Sequence, residues 1–273
     1  MTTIVIDSDA CTRCGICSEV CPMEIIVPGN EGKPPEVPRQ AEAFCIRCGH
    51  CAVGCPEQAV SIGFPREREI TVPEGFPPSP DLIAYYLKNR RSVRHYTKKP
   101  VSRDTIRDIL EIARYAPSGG NQQPVHWTVI YDPHDVHSLA GLTIDWIRHE
   151  AASDNPSLPR MMTGRLLSSW EKGADPICRG APHLLIAAVR AGPGSALVDG
   201  IIAVTYADAA APAFGVGTCW AGFLSLAAKA WPPVREALAI PDGYEYCASL
   251  MCGYPKFRIY GIPPRNPLKV TWR

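Results

Sequence analysis

Eight of the twelve cysteines in this chain fall into two copies of one spacing, and this repeat constrains the fold more than any other feature. Each copy reads C-x2-C-x2-C-x3-C-P. The two sets are Cys11, Cys14, Cys17 and Cys21, followed by Cys45, Cys48, Cys51 and Cys55. Proteins bind [4Fe–4S] clusters with this spacing. The repeat therefore predicts two clusters near the N-terminus.

The assignment of cysteines to clusters follows from the repeat. In such pairs, the first three thiolates of a copy bind one cluster and the fourth binds the other. Cluster one is therefore expected on Cys11, Cys14, Cys17 and Cys55. Cluster two is expected on Cys45, Cys48, Cys51 and Cys21. Gly15 and Gly49 occupy the same place in each loop, where a missing side chain lets the backbone pass close to sulfur.

Two other uses of paired cysteines fit less well. Structural zinc also uses CxxC pairs, but as two spaced pairs and not as four crowded cysteines that end in Cys-Pro. A disulfide framework is disfavoured because the N-terminal segment MTTIVIDSD is short and acidic and does not resemble a signal peptide. Reduced cysteines in the cytoplasm are the expectation. Residues 1–63 resemble bacterial-type two-cluster ferredoxins.

The length of the chain suggests two domains, and its charge and hydropathy suggest neither nucleic-acid binding nor a membrane span. A chain of 273 residues accommodates a small domain, residues 1–63, and a larger one, residues 81–273. Residues 64–80 are rich in proline and charge and are interpreted as a linker. A net charge of +1 gives no reason to expect nucleic acid, and no uninterrupted run of eighteen apolar residues suggests a membrane span.

The larger domain mixes helices and strands without regular βαβ alternation, which predicts an α+β fold. A helix is expected from Asp81, as its cap, to Asn89, and a second helix is expected to begin after Ser102 and to stop at Ala116. The predicted strands are residues 126–132, 183–191 and 244–255. Residues 196–211 are apolar nearly all round and predict a buried helix.

Four segments of this domain resemble the FMN-dependent nitroreductase family, in its order and at about its spacings. They are residues 90–130, Arg179-Gly180-Ala181-Pro182, residues 215–223 and residues 253–272. Together they span residues 79–273. The resemblance implies a dimeric α+β sandwich that binds FMN.

A run of cations provides a candidate phosphate site. Arg90, Arg91, Ser92 and Arg94 place three guanidinium groups and a hydroxyl within five positions, which suits an anion, although an exposed basic run can look the same. The resemblance implies that these positions bind the FMN phosphate, ribityl chain and ring edge, and that Arg265 also reaches the phosphate. No G-x-G-x-x-G motif is present, which favours FMN over FAD or a bound dinucleotide.

The same resemblance implies that two further segments contact the flavin. The turn formed by Pro117, Ser118, Gly119, Gly120 and Asn121 is expected to contact the flavin of the other subunit, so that a homodimer builds the site. Ala221 and Gly222 match the place where a backbone N–H faces flavin N5 and stabilises negative charge there. No side chain is assigned as a general acid, because the cofactor carries the chemistry.

Several other residues receive structural interpretations. Cys178, Cys219, Cys247 and Cys252 lack ligand spacing and are expected in the core. His126 is interpreted as structural, and Trp127 is expected to fill the space left where the family usually has Gln-Pro-Trp. Residues 133–178 are expected to supply a helical core stripe and one or two side chains that roof the flavin.

The combined prediction is an oxidoreductase that passes electrons from two [4Fe–4S] clusters to FMN and then to a small electron-poor acceptor, such as a nitroaromatic or a quinone. An external ferredoxin-type protein is the expected donor, with NAD(P)H slow or inactive. Two alternatives stay open. One is an electron-transfer module between protein partners without small-molecule turnover, and the other is a dehalogenating or flavin-fragmenting enzyme of the same fold.

Overall fold

The structure is a computed structural model that describes residues 4–30, 32–64, 70–154, 156–192, 194 and 196–273. The chain divides into two compact units. One comprises residues 1–78 together with Gly120–Gln122, and the other comprises Ser79–Gly119 with Gln123–Arg273. The division departs from the predicted boundaries mainly at Gly120–Gln122, the tip of the predicted flavin-contacting turn. Within the predicted linker, residues 65–69 lie outside the described residues.

The N-terminal unit is built from very short elements. Its strands β1 (Val5–Ile6) and β2 (Val60–Ser61) pair antiparallel, and its helices are α1 (Ile16–Glu19) and α2 (His50–Val53), with a 3-10 turn at Glu42–Phe44. Each helix follows a cysteine-loop glycine in the left-handed region, Gly15 at φ 80° and Gly49 at φ 81°. Glycine adopts this conformation without the penalty that other residues incur, so these two positions start the helices.

The C-terminal unit is an antiparallel sheet covered by helices on both faces. Its strands are β3 (Val125–Ile130), β4 (His183–Arg190), β5 (Gly217–Trp220) and β6 (Tyr244–Gly253), in the order β3-β4-β6-β5. Its helices are α3 (Pro80–Asn89), α4 (Arg103–Ala113), α5 (Pro133–Ala152), α6 (Arg160–Glu171), α7 (Ala196–Ala210), α8 (Gly222–Ala230) and α9 (Pro232–Ala237). The mixed, non-alternating order agrees with the predicted α+β class.

The position of β4 in the sheet explains why its sequence is continuously apolar. Leu184 and Ile186 belong to the core under α5, α6 and α8, whereas Leu185 and Val189 belong to the core under α4 and α7. Successive side chains of a strand point to opposite faces. Because both faces of β4 are covered, every position from His183 to Val189 is buried.

Several predicted boundaries need correction. Helix α3 begins at Pro80 and is capped by Ser79, whose Oγ accepts from Leu82 N at 3.3 Å, so Asp81 is not the cap. The Ser102 cap is confirmed, since its Oγ accepts from Thr105 N at 3.1 Å, but α4 ends at Ala113. Strand β5 was not predicted, because its four residues lie in a segment interpreted only by resemblance.

Helix α7 is less buried than predicted. Leu197, Val198 and Ile201 are exposed, and the buried face carries the carboxylates of Asp199 and Asp208. Among the described residues, Ala196–Phe214 is long and apolar enough to cross a membrane by length and composition alone. The sequence predicted no such segment. Its buried carboxylates and its packing against α4 and β6 are those of a core helix.

Candidate functional site

The second cysteine loop encloses a cavity together with one cysteine of the first copy. The cysteines that line it are Cys21, Cys45, Cys48 and Cys51. Burial raises the pKa of the Cys51 thiol to about 11, and Cys21, Cys48 and Cys45 add to this shift. Cys21 therefore lies close to the thiols of the second loop, which is the grouping expected for cluster two.

The first loop shows the reciprocal arrangement. Burial raises the pKa of the Cys17 thiol, and Cys11 and Cys55 are among the neighbours that add to it. Cys55 Sγ accepts from Ala59 N at 3.2 Å, and Cys11 Sγ accepts from Arg13 N at 3.4 Å. Hydrogen bonds to cluster sulfurs help set reduction potentials. The structure thus places Cys55 beside the first loop, as the crossover predicts.

The chemistry of these eight thiols suits clusters better than single ions. Within the described ranges, no three His, Cys, Asp or Glu side chains are placed to hold one metal ion. A [4Fe–4S] cluster does not need such a grouping, because each thiolate binds a different iron. The buried thiols would lose their protons on binding, since a coordinating thiol is deprotonated.

The end of α3 and the C-terminal segment form a cationic cavity. Lys88, Arg90, Arg91 and Arg265 line it. Arg91 Nη1 donates to Lys88 O at 2.7 Å and to Arg90 O at 2.6 Å, which holds the guanidinium in place. Among the described residues, the buried Arg91 Nη2 has no hydrogen-bond partner. Four cationic side chains line one cavity, which suits an anion such as a phosphate.

The other members of the predicted cation run face different surroundings. Arg90 Nη1 lies 3.3 Å from the buried carboxylate of Asp208, which also accepts from the Thr218 hydroxyl. Ser92 forms a bridge with Thr218 and so lies beside β5. Arg94 Nη1 donates to Ser92 O at 3.5 Å, and Arg94 lines a second cavity.

That second cavity is also cationic and contains residues that the sequence did not single out. His95, His137 and Arg179 line it together with Arg94 and Asp175. The Asp175 carboxylate accepts from the backbone N–H groups of Ile177, Cys178 and Gly180 at 2.8–3.0 Å. Arg179 belongs to one of the four family-like segments, and Lys88 lies two residues before the cation run. Both were therefore next to a predicted motif, but neither was predicted as a site residue.

The predicted flavin-contacting turn divides between the two units. Gly119 N donates to both carboxylate oxygens of Asp199, each at 3.2 Å, and Pro117 and Ser118 line a groove along α4 and β3. Asn121 belongs to the N-terminal unit, where its Nδ2 donates to Ile46 O and Arg47 O, each at 3.0 Å. Within one chain, this turn does not line the cationic cavity of Arg91.

Ala221 and Gly222 form the N-terminus of α8. Ala221 N donates to Ser249 O at 3.0 Å, so of the two residues only Gly222 presents its N–H at the open end of the helix. Gly222 is exposed, and a Cβ added there would meet nothing within 4 Å. The backbone at Gly222 is therefore open to solvent on the side where a side chain would stand.

The residues interpreted as structural lie where they were expected. The four remaining cysteines, Cys178, Cys219, Cys247 and Cys252, are buried in the two cores of the C-terminal unit. His126 is exposed and lies against the Tyr244 ring, with ring centroids 5.4 Å apart. Trp127 packs against the core under α4 and α7.

The segment 133–178 supplies both core and surface. Trp146 and Leu166 are buried in the core, which agrees with the predicted stripe. Trp170 stacks on His137, with ring centroids 4.9 Å apart, at the edge of the second cationic cavity. Met161, at the start of α6, is 89% exposed.

Comparisons with known proteins agree with the two-unit organisation. Residues 87–254 match the Nitroreductase family, and residues 10–60 match the 4Fe-4S dicluster domain. A 4-nitrobenzoate reductase of Nocardioides sp. (strain LMS-CY) is 30% identical over 206 residues, covering 65% of this chain and 82% of that protein. A putative NADH dehydrogenase/NAD(P)H nitroreductase of Archaeoglobus fulgidus is 28% identical over 170 residues, covering 62% of this chain and 83% of that protein.

Solved structures support the same fold for the C-terminal unit. A nitroreductase with bound FMN from Bacteroides fragilis NCTC 9343 superposes with a TM-score of 0.56 at 24% identity. The superposition covers 69% of this chain and 97% of that chain.

Proposed function

Since this chain belongs to the nitroreductase family and carries a 4Fe–4S dicluster domain, we propose that it is an FMN-dependent oxidoreductase with its own iron–sulfur electron carrier. Its acceptor is a small electron-poor organic molecule of the nitroaromatic or quinone type. The observation that carries the proposal is the cavity lined by Lys88, Arg90, Arg91 and Arg265, where four cationic side chains meet. An FMN phosphate would neutralise part of this charge.

The proposed flavin site uses residues from both ends of the C-terminal unit. Arg91 and Arg265 hold the phosphate, with Lys88 and Arg90 at the rim of the cavity. Ser92 and Arg94 continue along the ribityl chain toward the ring edge, and Gly222 offers its N–H to the ring. Bound FMN would supply two-electron chemistry, for which these groups provide position and field.

The proposed cluster ligands are the two crossed sets of four cysteines. Cluster one takes Cys11, Cys14, Cys17 and Cys55, and cluster two takes Cys45, Cys48, Cys51 and Cys21. The proximity of Cys21 to the second loop and of Cys55 to the first supports this assignment. Two one-electron clusters match the two electrons that one FMN accepts.

We include a homodimer in the proposal. Helix α7 exposes Leu197, Val198 and Ile201. The C-terminal segment after β6 has no regular secondary structure, and its Tyr260, Leu268 and Trp272 side chains are 88%, 87% and 90% exposed. Monomeric proteins rarely leave large apolar patches uncovered. A second copy would cover them and bring its 117–121 turn to the flavin.

The donor and the acceptor are separate parts of the proposal. The name of the Nocardioides relative favours a nitroaromatic acid as a test acceptor. An added cluster domain favours a one-electron donor, such as a cytoplasmic ferredoxin-type protein, over NAD(P)H. The alternative, a module between protein partners without small-molecule turnover, predicts flavin oxidation by proteins only.

One anaerobic experiment tests the proposal. The purified protein should contain about eight iron and eight sulfide per chain and one non-covalent FMN. Stopped-flow mixing with photoreduced ferredoxin should bleach the flavin faster than mixing with NADH or NADPH, and 4-nitrobenzoate should restore its absorbance. Stoichiometric zinc with little sulfide would contradict the cluster assignment. Fast bleaching by NADPH in a variant that lacks both clusters would contradict the direction of electron flow.

A further inference from the structure

A chain of three hydroxyls, of which those of Tyr246 and Ser249 are buried and that of Ser225 is half-buried, lies beneath the N-terminus of α8. The Tyr246 hydroxyl lies 2.6 Å from Ser225 Oγ and 2.8 Å from Ser249 Oγ. Tyr246 is 8% exposed and Ser249 is fully buried. Three polar groups from β6 and α8 are thus joined inside the core, although an apolar core would not require them.

The direction of these hydrogen bonds follows from counting protons. Ser225 Oγ donates its only proton to Ala221 O at 3.0 Å. Tyr246 must therefore donate to Ser225, and Ser249 must donate to Tyr246, because each hydroxyl has one proton. Burial raises the pKa of Tyr246 to about 12, which keeps this donor protonated at neutral pH. The chain runs in one direction, from Ser249 to the Ala221 carbonyl.

The chain ends on the peptide that precedes Gly222. Ala221 O accepts from both Ser225 N at 2.9 Å and Ser225 Oγ at 3.0 Å, and Ala221 N donates to Ser249 O at 3.0 Å. In a planar trans peptide, the C=O and the following N–H point in opposite directions. Fixing the Ala221 carbonyl toward the helix therefore fixes the Gly222 N–H away from it, toward the open side.

We propose that Tyr246, Ser225 and Ser249 are positioning residues that aim and polarise the Gly222 N–H toward the charge that the flavin ring gains on reduction. This inference rests on the proposed function. Hydrogen bonds in a chain polarise one another, so each hydroxyl donated toward the Ala221 carbonyl makes the peptide N–H a better donor. A preorganised donor of this kind stabilises developing negative charge without reorganisation.

Redox titration of the FMN-loaded protein tests the inference. Ser225→Ala should lower the equilibrium constant of two-electron flavin reduction about tenfold, a shift of about 30 mV to more negative potential. Tyr246→Phe should shift it in the same direction by a smaller amount, because it removes a more distant member of the chain. The FMN dissociation constant should stay within about threefold in both, since the phosphate contacts are untouched.

A matched control separates positioning from stability. Tyr131→Phe also removes a tyrosine hydroxyl, one that donates to Val101 O at 3.0 Å, but Tyr131 directly follows β3, the opposite edge strand of the sheet from β5. It should lower Tm without moving the flavin potential. If Ser225→Ala and Tyr246→Phe also lower only Tm, the chain is merely structural and the inference is wrong.

A failure of the proposed function would give a different result from a failure of this inference. Wild-type protein that neither retains nor binds FMN would overturn both proposals before any potential is measured. Should Ser225→Ala fail to fold, Tyr246→Phe decides the question, because it preserves the shape of the side chain. An unchanged potential in a folded, FMN-loaded Tyr246→Phe protein would overturn the inference alone.

Discussion

The two units of this protein differ in what is expected to stabilise their folds. The N-terminal unit has strands of two residues and helices of four, and its buried core cluster includes Cys17 and Cys51. The C-terminal unit buries a ten-residue strand, β6, between two layers of helices. A domain as small as the first buries too little apolar surface for much stability, so metal binding is expected to supply it. The second unit has two buried apolar clusters, so we expect its fold to depend far less on a ligand.

Removal of the clusters should therefore destabilise the N-terminal unit and not the C-terminal unit, and this is the largest expected effect. Oxidation followed by chelation should unfold the N-terminal unit and leave the C-terminal unit folded. All six tryptophans lie between residues 127 and 272, so their fluorescence reports only on the C-terminal unit. Hydrogen exchange should show loss of protection around β1 and β2 and retained protection in β4. A chelator without oxidant is the control. Parallel loss of both signals would contradict independent stability.

Single cysteine variants sharpen the account of the N-terminal unit. Cys21→Ala should damage the cluster of the second loop, and Cys55→Ala should damage the cluster of the first. EPR of the reduced proteins should show opposite clusters lost in the two variants. Cys178→Ala, a buried cysteine of the C-terminal unit, should keep both signals. Loss of the cluster nearest in sequence in each variant would rule out the crossover.

Variants of the cationic cavity should affect only the C-terminal unit. Arg91→Ala and Arg265→Ala should each weaken FMN binding by roughly 1.5–3 kcal/mol, because each removes a charge-assisted phosphate contact. The dissociation constant should rise about 10- to 150-fold. Cluster EPR signals should not change. Arg107→Ala is the control, since Arg107 is exposed and pairs with the exposed Asp104 at the surface. Unaltered FMN affinity in Arg91→Ala would remove the main support for the proposed site.

The same contrast explains what the sequence could predict. The proposed cluster ligands are close in sequence within each copy, so their spacing singled out all eight cysteines before the structure was considered. The main helices and strands were predicted where periodicity was strong, as in α4 and β4. The ion pair of Arg90 with Asp208 and the hydroxyl chain of Tyr246 were not foreseen. They depend on pairings such as Trp220 with Leu250, which join residues distant in sequence.

The smallest expected effect concerns a buried histidine of the C-terminal unit. His183 Nε2 accepts from Val101 N at 2.9 Å, and its Nδ1 lies 2.7 Å from Tyr131 O, to which it donates as the neutral tautomer. Burial lowers the pKa of His183. The unfolded chain therefore binds a proton at higher pH than the folded chain does. Stability should be full above about pH 6.5, the ordinary histidine pKa, and should fall with pH below it.

Urea unfolding followed by tryptophan fluorescence measures this effect in the C-terminal unit alone. The slope contributed by His183 should reach at most about 1.4 kcal/mol per pH unit. His183→Gln should lower the stability at neutral pH, because a buried hydrogen-bond pair is disturbed, and should flatten the dependence below about pH 6.5. His134→Gln, at a position whose side chain is 86% exposed, should leave the slope unchanged. An equal slope in His183→Gln and wild type would mean that other groups carry the acid sensitivity.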